Sequence, residues 1–340
     1  MILFFWCVFD FWWRENVMEN LGNDVVIHVK KGICEYLQFR KLLELGVNNA
    51  YGLIPGNYRT SGYGVGKNEV GEAVNCYRLL CDCLGVDYRN VVKPVQKHSG
   101  NVRCVGVDVE VGCTGILVID DVDCGRKLGI NDVDCAGEPV IDEVDCEREP
   151  VIDEVDCERG PVINDKALDN VDGLVTDKKG MILATTNADC ILLLFYDPVK
   201  RVIANVHSGW RGTFQKIAVN AVNKMRVEYG CNPQDIICCI CPSIRKCHFE
   251  VEDDVKDMCV ENFGYTGRLD EIIENVGVKD GKNKWKIDTV LINRIILGDV
   301  GLKQENIFDC GICSVCNSDK VHSYRVEKSE YGLCTAVIML

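Results

Sequence analysis

The sequence predicts an α+β protein: a single domain with mixed β-sheets in layers and helices packed outside, interrupted by an acidic insertion. Three observations carry that prediction. Short apolar runs rich in β-formers alternate with amphipathic helical stretches. At 340 residues, 47% hydrophobic and 26% charged, the chain has apolar material for one large core. An 11-residue repeat then breaks the pattern between Val118 and Pro161.

The chain opens on MILFFWCVFDFWW, where seven of 13 residues are aromatic and Asp10 interrupts the run. That stretch is too short to span a bilayer, and its basic residue, Arg14, follows it rather than precedes it as in a secretory signal. Residues 1–17 are therefore expected to be an extension outside the fold, with Met18 an alternative start and residues 18–340 one catalytic domain. Val25–Val29 (VVIHV) reads as a strand. Glu72–Leu84 sets Val74, Tyr77, Leu80, Cys81 and Leu84 on one face at helical spacing, with Gly85 as the stop. Met181–Thr186, Ile191–Asp197 and Val202–His207 read as buried strands, with Asp197-Pro198 turning the last two into a hairpin. Trp210–Tyr229 reads as one helix, Ile236–Ile240 as a strand, and TAVIML as a final strand.

Between these elements lie VIDDVDCGRKL, GINDVDCAGEP, VIDEVDCEREP and VIDEVDCERGP, from Val118 to Pro161. Ile119–Pro161 holds 15 acidic and 4 basic residues, so it carries most of the chain's net charge of -14. Proline at the repeat junctions and the β-branched VID runs oppose a continuous helix. The segment 118–161 reads as a disordered, solvated insertion expanded by duplication. The rest of the chain is close to neutral and offers no basic stripe for a phosphate backbone, which excludes nucleic acid as a partner. Twenty-two cysteines without a secretory signal point to reduced thiols in a cytoplasmic protein, and no stable membrane insertion is expected.

Only five histidines are present. His28 falls mid-strand and reads as structural. His98 and His207 each precede Ser-Gly and read as the ends of apolar strands. Counting from the Asp197-Pro198 turn places Cys190 near His207 across the hairpin. Two imidazoles and a thiolate make a three-ligand set with an open fourth position, suited to catalytic Zn²⁺ and alternatively to Cu²⁺; isolated core or surface residues are the other reading. His248-Phe249-Glu250 with Cys310, Cys313 and Cys316 is a partial match to the zinc-deaminase signature, without its proline or its spacing.

Four co-linear segments resemble one bacterial family, named variously polyphenol oxidase (laccase-domain) protein, purine nucleoside phosphorylase and peptidoglycan editing factor. They are KPVQKHSGNV (Lys93–Val102), NADCILLLFYDPVKRVIANVHSGWRG (Asn187–Gly212), CPSIRKCHFEV (Cys241–Val251) and CSVCNSDKVHSYRVE (Cys313–Glu327). The resemblance implies the sheet order, a site in a cleft at strand ends, and metal ligation by His98, Cys190 and His207. It implies phosphorolysis of purine nucleosides (adenosine, inosine, guanosine, methylthioadenosine) to base and ribose 1-phosphate, with adenosine deamination as a side activity, in the cytoplasm. Purine nucleosides and phosphate are then the partners. Arg211 and Arg325 are the candidates for phosphate, because a planar guanidinium pairs bidentately with its oxygens. Asp189 is the candidate for orienting a ligand through a hydrogen bond. Departures from the family pattern are Asn187 for Thr, Cys241 for Gly, Val326 for Arg, and TSGYGVGKN at Thr60–Asn68.

Copper-dependent phenol oxidation and peptidoglycan precursor editing are the alternatives within the family, and five histidines are too few for a multicopper oxidase. A non-enzymatic metal-binding protein built on the acidic Cys repeats is the alternative of another class. Deleting residues 118–161 separates these: an enzyme keeps activity and about one metal equivalent, whereas a storage protein loses most of its metal in a stoichiometry measurement.

Overall fold

The computed structural model describes residues 21–60, 67–107, 116–118, 161–163 and 165–340. The opening extension at 1–17 and almost all of the acidic repeat segment lie outside them. In chain order the strands are β1 (Val26–Lys31), β2 (Cys34–Phe39), β3 (Asn48–Gly52), β4 (Val91–Lys93), β5 (Val102–Val107), β6 (Ile116–Val118), β7 (Val162–Ile163), β8 (Gly173–Thr176), β9 (Ile182–Asn187), β10 (Ile191–Asp197), β11 (Val202–Ser208), β12 (Ile237–Ile240), β13 (Glu250–Val251), β14 (Ile273–Lys279), β15 (Lys282–Ile287), β16 (Ile307–Asp309) and β17 (Cys334–Met339).

These strands form two seven-stranded mixed sheets and one small one. The first runs β1-β2-β3-β17-β9-β4-β7, the second β16-β12-β10-β11-β8-β5-β6, and the third β13-β15-β14. Strand β10 shows why the large sheets stack. Its residues alternate strictly, Ile191, Leu193 and Phe195 facing one cluster and Leu192, Leu194 and Tyr196 another. A strand apolar on both faces must be covered on both.

The cluster between the sheets joins Leu37, Tyr51, Leu183 and Ile338 of the first to Leu174, Leu192, Leu194 and Ile203 of the second. On the outer face of the second sheet the helix Ile217–Tyr229 buries Ala218, Ala221, Val222 and Met225 against Val175, Ala204 and Val206. On the outer face of the first, the helix Lys67–Leu84 buries Tyr77, Leu80 and Cys81 against Tyr36, Ala184 and Val337. Each of the large aliphatic side chains among these, such as Leu80, Val222 and Met225, contributes about 1.5–3 kcal/mol by leaving water. The result is four layers, helix, sheet, sheet and helix, so the expected layered α+β domain is what forms. Among the described residues no helix is long and apolar enough to cross a membrane.

Two local expectations are corrected. Trp210–Tyr229 is not one helix but two, Trp210–Phe214 and Ile217–Tyr229. Lys216 turns left-handed at φ 57° between them, and its N–H closes on the Thr213 carbonyl. The apolar stripe continues in register across the break, so periodicity cannot reveal one residue's change of φ. His98 does not end a strand: β4 stops at Lys93, ahead of Pro94, which has no N–H to give a ladder. His98 lies instead in the loop that carries the chain from β4 in the first sheet to β5 in the second.

The two sheets are also joined by a polar bond. Asn205 of β11, wholly buried, donates to the carbonyls of Leu183 (2.9 Å) and Ala336 (2.8 Å) on the first sheet and accepts from the Thr185 hydroxyl. Asn205→Ala leaves those groups without their partner and is expected to cost about 3 kcal/mol, each orphaned buried group being worth about 1–3 kcal/mol. Urea unfolding followed by circular dichroism checks it.

Candidate metal centre

The β10–β11 hairpin pairs Leu192 with His207 and Ile191 with Ser208. Cys190 therefore stands one step beyond the ladder, beside His207, as counting from the turn predicts. The Asp197 carboxylate holds that turn by accepting from the N–H groups of Val199 (2.8 Å) and Lys200 (3.0 Å). His207 follows Asn205 by two residues and so shares its inter-sheet face.

His98 is brought in by two anchors on its loop. The Gln96 side chain bonds the Thr186 backbone in both directions, accepting from N–H and donating to C=O, each at 2.8 Å. Asp172, fully buried just before β8, then takes the backbone N–H groups of Lys97 (3.1 Å), His98 (3.0 Å) and Ser99 (2.8 Å) and the Ser99 hydroxyl (2.6 Å). The same carboxylate meets His207 Nδ1 at 2.8 Å, and the Asp172 carbonyl accepts the His207 N–H at 2.7 Å. One residue thus sets the backbone of one imidazole and the ring of the other, and leaves His207 Nε2 free to face its neighbours.

Cys190 Sγ lies 3.7 Å from His98 Nε2, and the two imidazole rings meet edge to face with centroids 4.8 Å apart. Donor atoms of His98, Cys190 and His207 all fall within 4.8 Å of one another. Zinc bonds of ~2.1 Å to nitrogen and ~2.3 Å to sulfur, set tetrahedrally, hold N and S about 3.6 Å apart. Gly209 makes the approach possible: a Cβ there would sit 2.7 Å from His98 Cδ2 and 3.1 Å from Cys190 Sγ. The donor set fits one zinc ion with three protein ligands.

Burial pushes the Cys190 thiol up, but the His207 charge and hydrogen bonds from both imidazoles outweigh it and bring it down to about 6. Burial likewise disfavours charged His207, yet the Cys190 thiolate and Asp172 raise it to about 9. Asp172 falls to about 2 because His207 and Ser99 outweigh its burial. The site favours a thiolate at neutral pH, the form in which cysteine binds a metal.

The three donors line a cleft of about 700 Å³, together with Lys93, Trp210, Phe249, Tyr324, Arg325 and Tyr331. Arg325 is the predicted guanidinium that faces this space; its Nη2 also donates to the Glu250 carbonyl at 3.1 Å. Arg211 is exposed, its guanidinium 4.2 Å over the Trp210 ring, and does not line the cleft. Asp189, held at φ 83°, bonds neither imidazole. Its carboxylate accepts from the hydroxyls of Ser314 (2.6 Å) and Ser323 (2.7 Å) and from the Arg325 N–H (2.7 Å), drawing the carboxyl-terminal loops over the cleft. Asn187, one of the departures from the family pattern, braces the Cys190 turn by donating to the carbonyls of Cys190 (2.5 Å) and Pro242 (3.0 Å).

Sequence reasoning missed Asp172 and Lys93. Asp172 opens DGLVT, a stretch that matches the family, but nothing in its spacing ties it to His207. Lys93 is 2% exposed, and burial lowers it to about 8 although Asp172 raises it. A lysine inside a predicted strand reads as a surface position, and only the cleft explains it.

Fold and site together define a four-layer α+β protein whose cleft carries a candidate His-Cys-His metal centre. Residues 140–340, more than half of the chain, match the family described as multi-copper polyphenol oxidoreductase laccase, and the chain belongs to that family. Among curated relatives it is 33% identical over 166 residues to Bacillus subtilis purine nucleoside phosphorylase YlmD, a match covering 49% of this chain and 57% of that protein. It is 32% identical over 178 residues to human purine nucleoside phosphorylase LACC1, covering 49% of this chain and 37% of that one. A third relative, adenosine deaminase RL5 of an unknown prokaryotic organism, is 32% identical over 163 residues, covering 47% of this chain and 59% of that protein. The chain thus matches well under two thirds of each relative's length. The crystal structure of Bacillus licheniformis YfiH superposes with a TM-score of 0.67 at 21% identity, covering 92% of this chain and 98% of that one, which shows the fold.

Gly209→Ala is expected to weaken metal binding at this centre by about 10-fold or more, because the added Cβ would push His98 and Cys190 apart. Competition with a chromophoric chelator measures it, and an unchanged affinity would mean that the three donors do not share an ion.

Proposed function

We propose that the chain is a metal-dependent purine nucleoside phosphorylase: adenosine, inosine, guanosine or methylthioadenosine and phosphate give the free base and ribose 1-phosphate, with adenosine deamination as a side activity. The observation that carries this reading is the convergence of His98, Cys190 and His207 on a cleft that also holds a buried lysine, a half-buried arginine and partly exposed aromatic side chains. The names of the relatives support it. Residues 18–340 act as one catalytic domain in the cytoplasm.

A Zn²⁺ ion held by His98, Cys190 and His207 supplies a Lewis acid able to polarise an oxygen and to lower the pKa of water towards about 7. The remaining work falls to the chain. Asp172 fixes the His207 tautomer by accepting from Nδ1, so that Nε2 remains the donor atom. Lys93 and Arg325 supply the positive charge that phosphate needs. The ammonium of Lys93 has one protein partner, the Pro94 carbonyl at 3.3 Å, and its two remaining protons are left for an anion. Trp210, Phe249 and the Tyr324–Tyr331 pair, with ring centroids 5.1 Å apart, offer flat apolar faces to a purine. Arg211, stacked on the far side of Trp210, is left out of phosphate binding.

A multicopper oxidase needs a copper that accepts electrons and a separate oxygen-reducing cluster rich in histidine. Two of the five histidines stand at this centre, and His28 and His322 pair with Glu35 and Glu327 instead. The donor set fits one Lewis-acid ion and does not fit that cluster.

Chromatography of purified protein with adenosine and phosphate tests the proposal beside a His207→Ala variant of verified fold. Adenine from the parent, and at least 100-fold less from the variant, is expected; inosine would mark the deaminase branch. A metal-loaded parent that releases neither would overturn the reading and favour a cell-wall precursor as substrate. Lys93→Met is expected to raise the KM for phosphate about 10-fold or more while moving the KM for nucleoside little, because a charge-assisted hydrogen bond to an anion is worth roughly 1.5–3 kcal/mol.

A further inference from the structure

A second set of metal-type donors lies apart from His98, Cys190 and His207. Cys247 and His248 come from the segment between β12 and β13, and Cys313 and Cys316 from the segment after β16. The two segments meet at the parallel bridge between Ser243 and Cys313, and the Arg245 guanidinium reinforces the contact by donating to the Ile312 carbonyl (3.2 Å) and to Asp309 (2.8 Å).

Across this junction Cys247 Sγ is 3.6 Å from Cys313 Sγ. His248 Nδ1 is 3.2 Å from Cys247 Sγ, 3.7 Å from Cys313 Sγ and 3.5 Å from Cys316 Sγ. All four donor atoms fall within 4.8 Å of one another. A tetrahedral zinc ion with bonds of ~2.3 Å to sulfur and ~2.1 Å to nitrogen spaces its ligands about 3.8 Å (S to S) and about 3.6 Å (S to N) apart. A disulfide would place two sulfurs ~2.05 Å apart. The observed spacings are those of donors arranged around a common centre.

The deaminase-like pattern in the sequence groups His248 and Glu250 with Cys310, Cys313 and Cys316. The structure retains His248, Cys313 and Cys316 and adds Cys247. It removes Cys310, whose buried thiol faces Arg245 Nη2 at 3.6 Å, and Glu250, which pairs with Lys279 at 3.8 Å.

We propose that Cys247, His248, Cys313 and Cys316 bind a zinc ion in a closed Cys₃His site that staples these two segments together. Three thiolates and an imidazole suit zinc, and four protein ligands leave no open position, the mark of a structural site. Cys247 and Cys316 are exposed, so the ion has a path in. The staple bears on the cleft. Ser314, next to Cys313, donates to the Asp189 carboxylate, and the N–H of Ile244, three residues before Cys247, donates to the Asp189 carbonyl at 2.8 Å.

The full chain, produced with zinc and purified under reducing conditions, is assayed for bound metal by mass spectrometry beside Cys247→Ser, Cys316→Ser and His207→Ala variants. Any zinc on the acidic repeats is common to all and cancels in the differences. Cys247→Ser and Cys316→Ser are each expected to carry one equivalent less than the parent and to melt at lower temperature. Combining either with His207→Ala is expected to remove a second equivalent. Parent-level zinc in both cysteine variants would overturn the proposal, as would a Cys247–Cys313 disulfide found by peptide mapping of the isolated parent. Should the cysteine variants not fold, Co²⁺ titration of His207→Ala is decisive. The expected result is one equivalent with intense thiolate-to-cobalt absorption, and no such band is the contrary one.

Discussion

The candidate centre depends on a buried charge. Asp172 has no exposed surface, and a carboxylate in that position is costly unless its oxygens are satisfied. Here three successive backbone N–H groups, a serine hydroxyl and an imidazole satisfy them. Those five donors come from the loop that crosses from β4 in the first sheet to β5 in the second, and from β11 of the second sheet. Meeting the electrostatic demand of one side chain therefore places His98 and His207 together, at an edge of the sandwich where neither sheet alone presents two imidazoles.

The rest of the architecture makes that meeting reproducible. Asn205 joins the sheets two residues before His207 on the same face of β11, so the distance between layers is set next to the site. Gln96 clamps the start of the His98 loop to β9, Gly209 leaves room for the three donors, and Asp189 gathers the loops bearing Ser314, Ser323 and Arg325 across the cleft. Two residues of the site sit at positive φ, His98 at 61° and Asp189 at 83°, both held by surrounding hydrogen bonds.

Much of this was legible in the residues. The run ILLLFYD is apolar at every position but its last because both faces of β10 are covered, and the Asp-Pro turn set the hairpin register well enough to place Cys190 beside His207. The amphipathic helix ending at Gly85 was legible for the same reason, since burial imposes a period. What burial does not impose was hidden. The break at Lys216 interrupts no apolar stripe, and the loop setting of His98 depends on Pro94 and Gln96 rather than on hydrophobicity. Asp172 stands 74 residues from His98, and Cys247 and His248 lie on a different loop from Cys313 and Cys316. Such pairings arise when strands distant in sequence become neighbours, and a single sequence carries no record of them. Arg211 shows the converse: motif position suggested a cleft residue, whereas the turn at Gly209 carries its side chain outward onto Trp210.

The most direct test is the crystal structure of the Asp172→Asn chain compared with the parent. An amide turns one acceptor into a donor and removes the charge, so it cannot serve all five donors. The account predicts that the Lys97–Ser99 backbone moves and that His98 Nε2 withdraws from Cys190 Sγ beyond the 3.7 Å seen here, while both sheets superpose unchanged. A variant that keeps this separation and the His207 ring in place would contradict it.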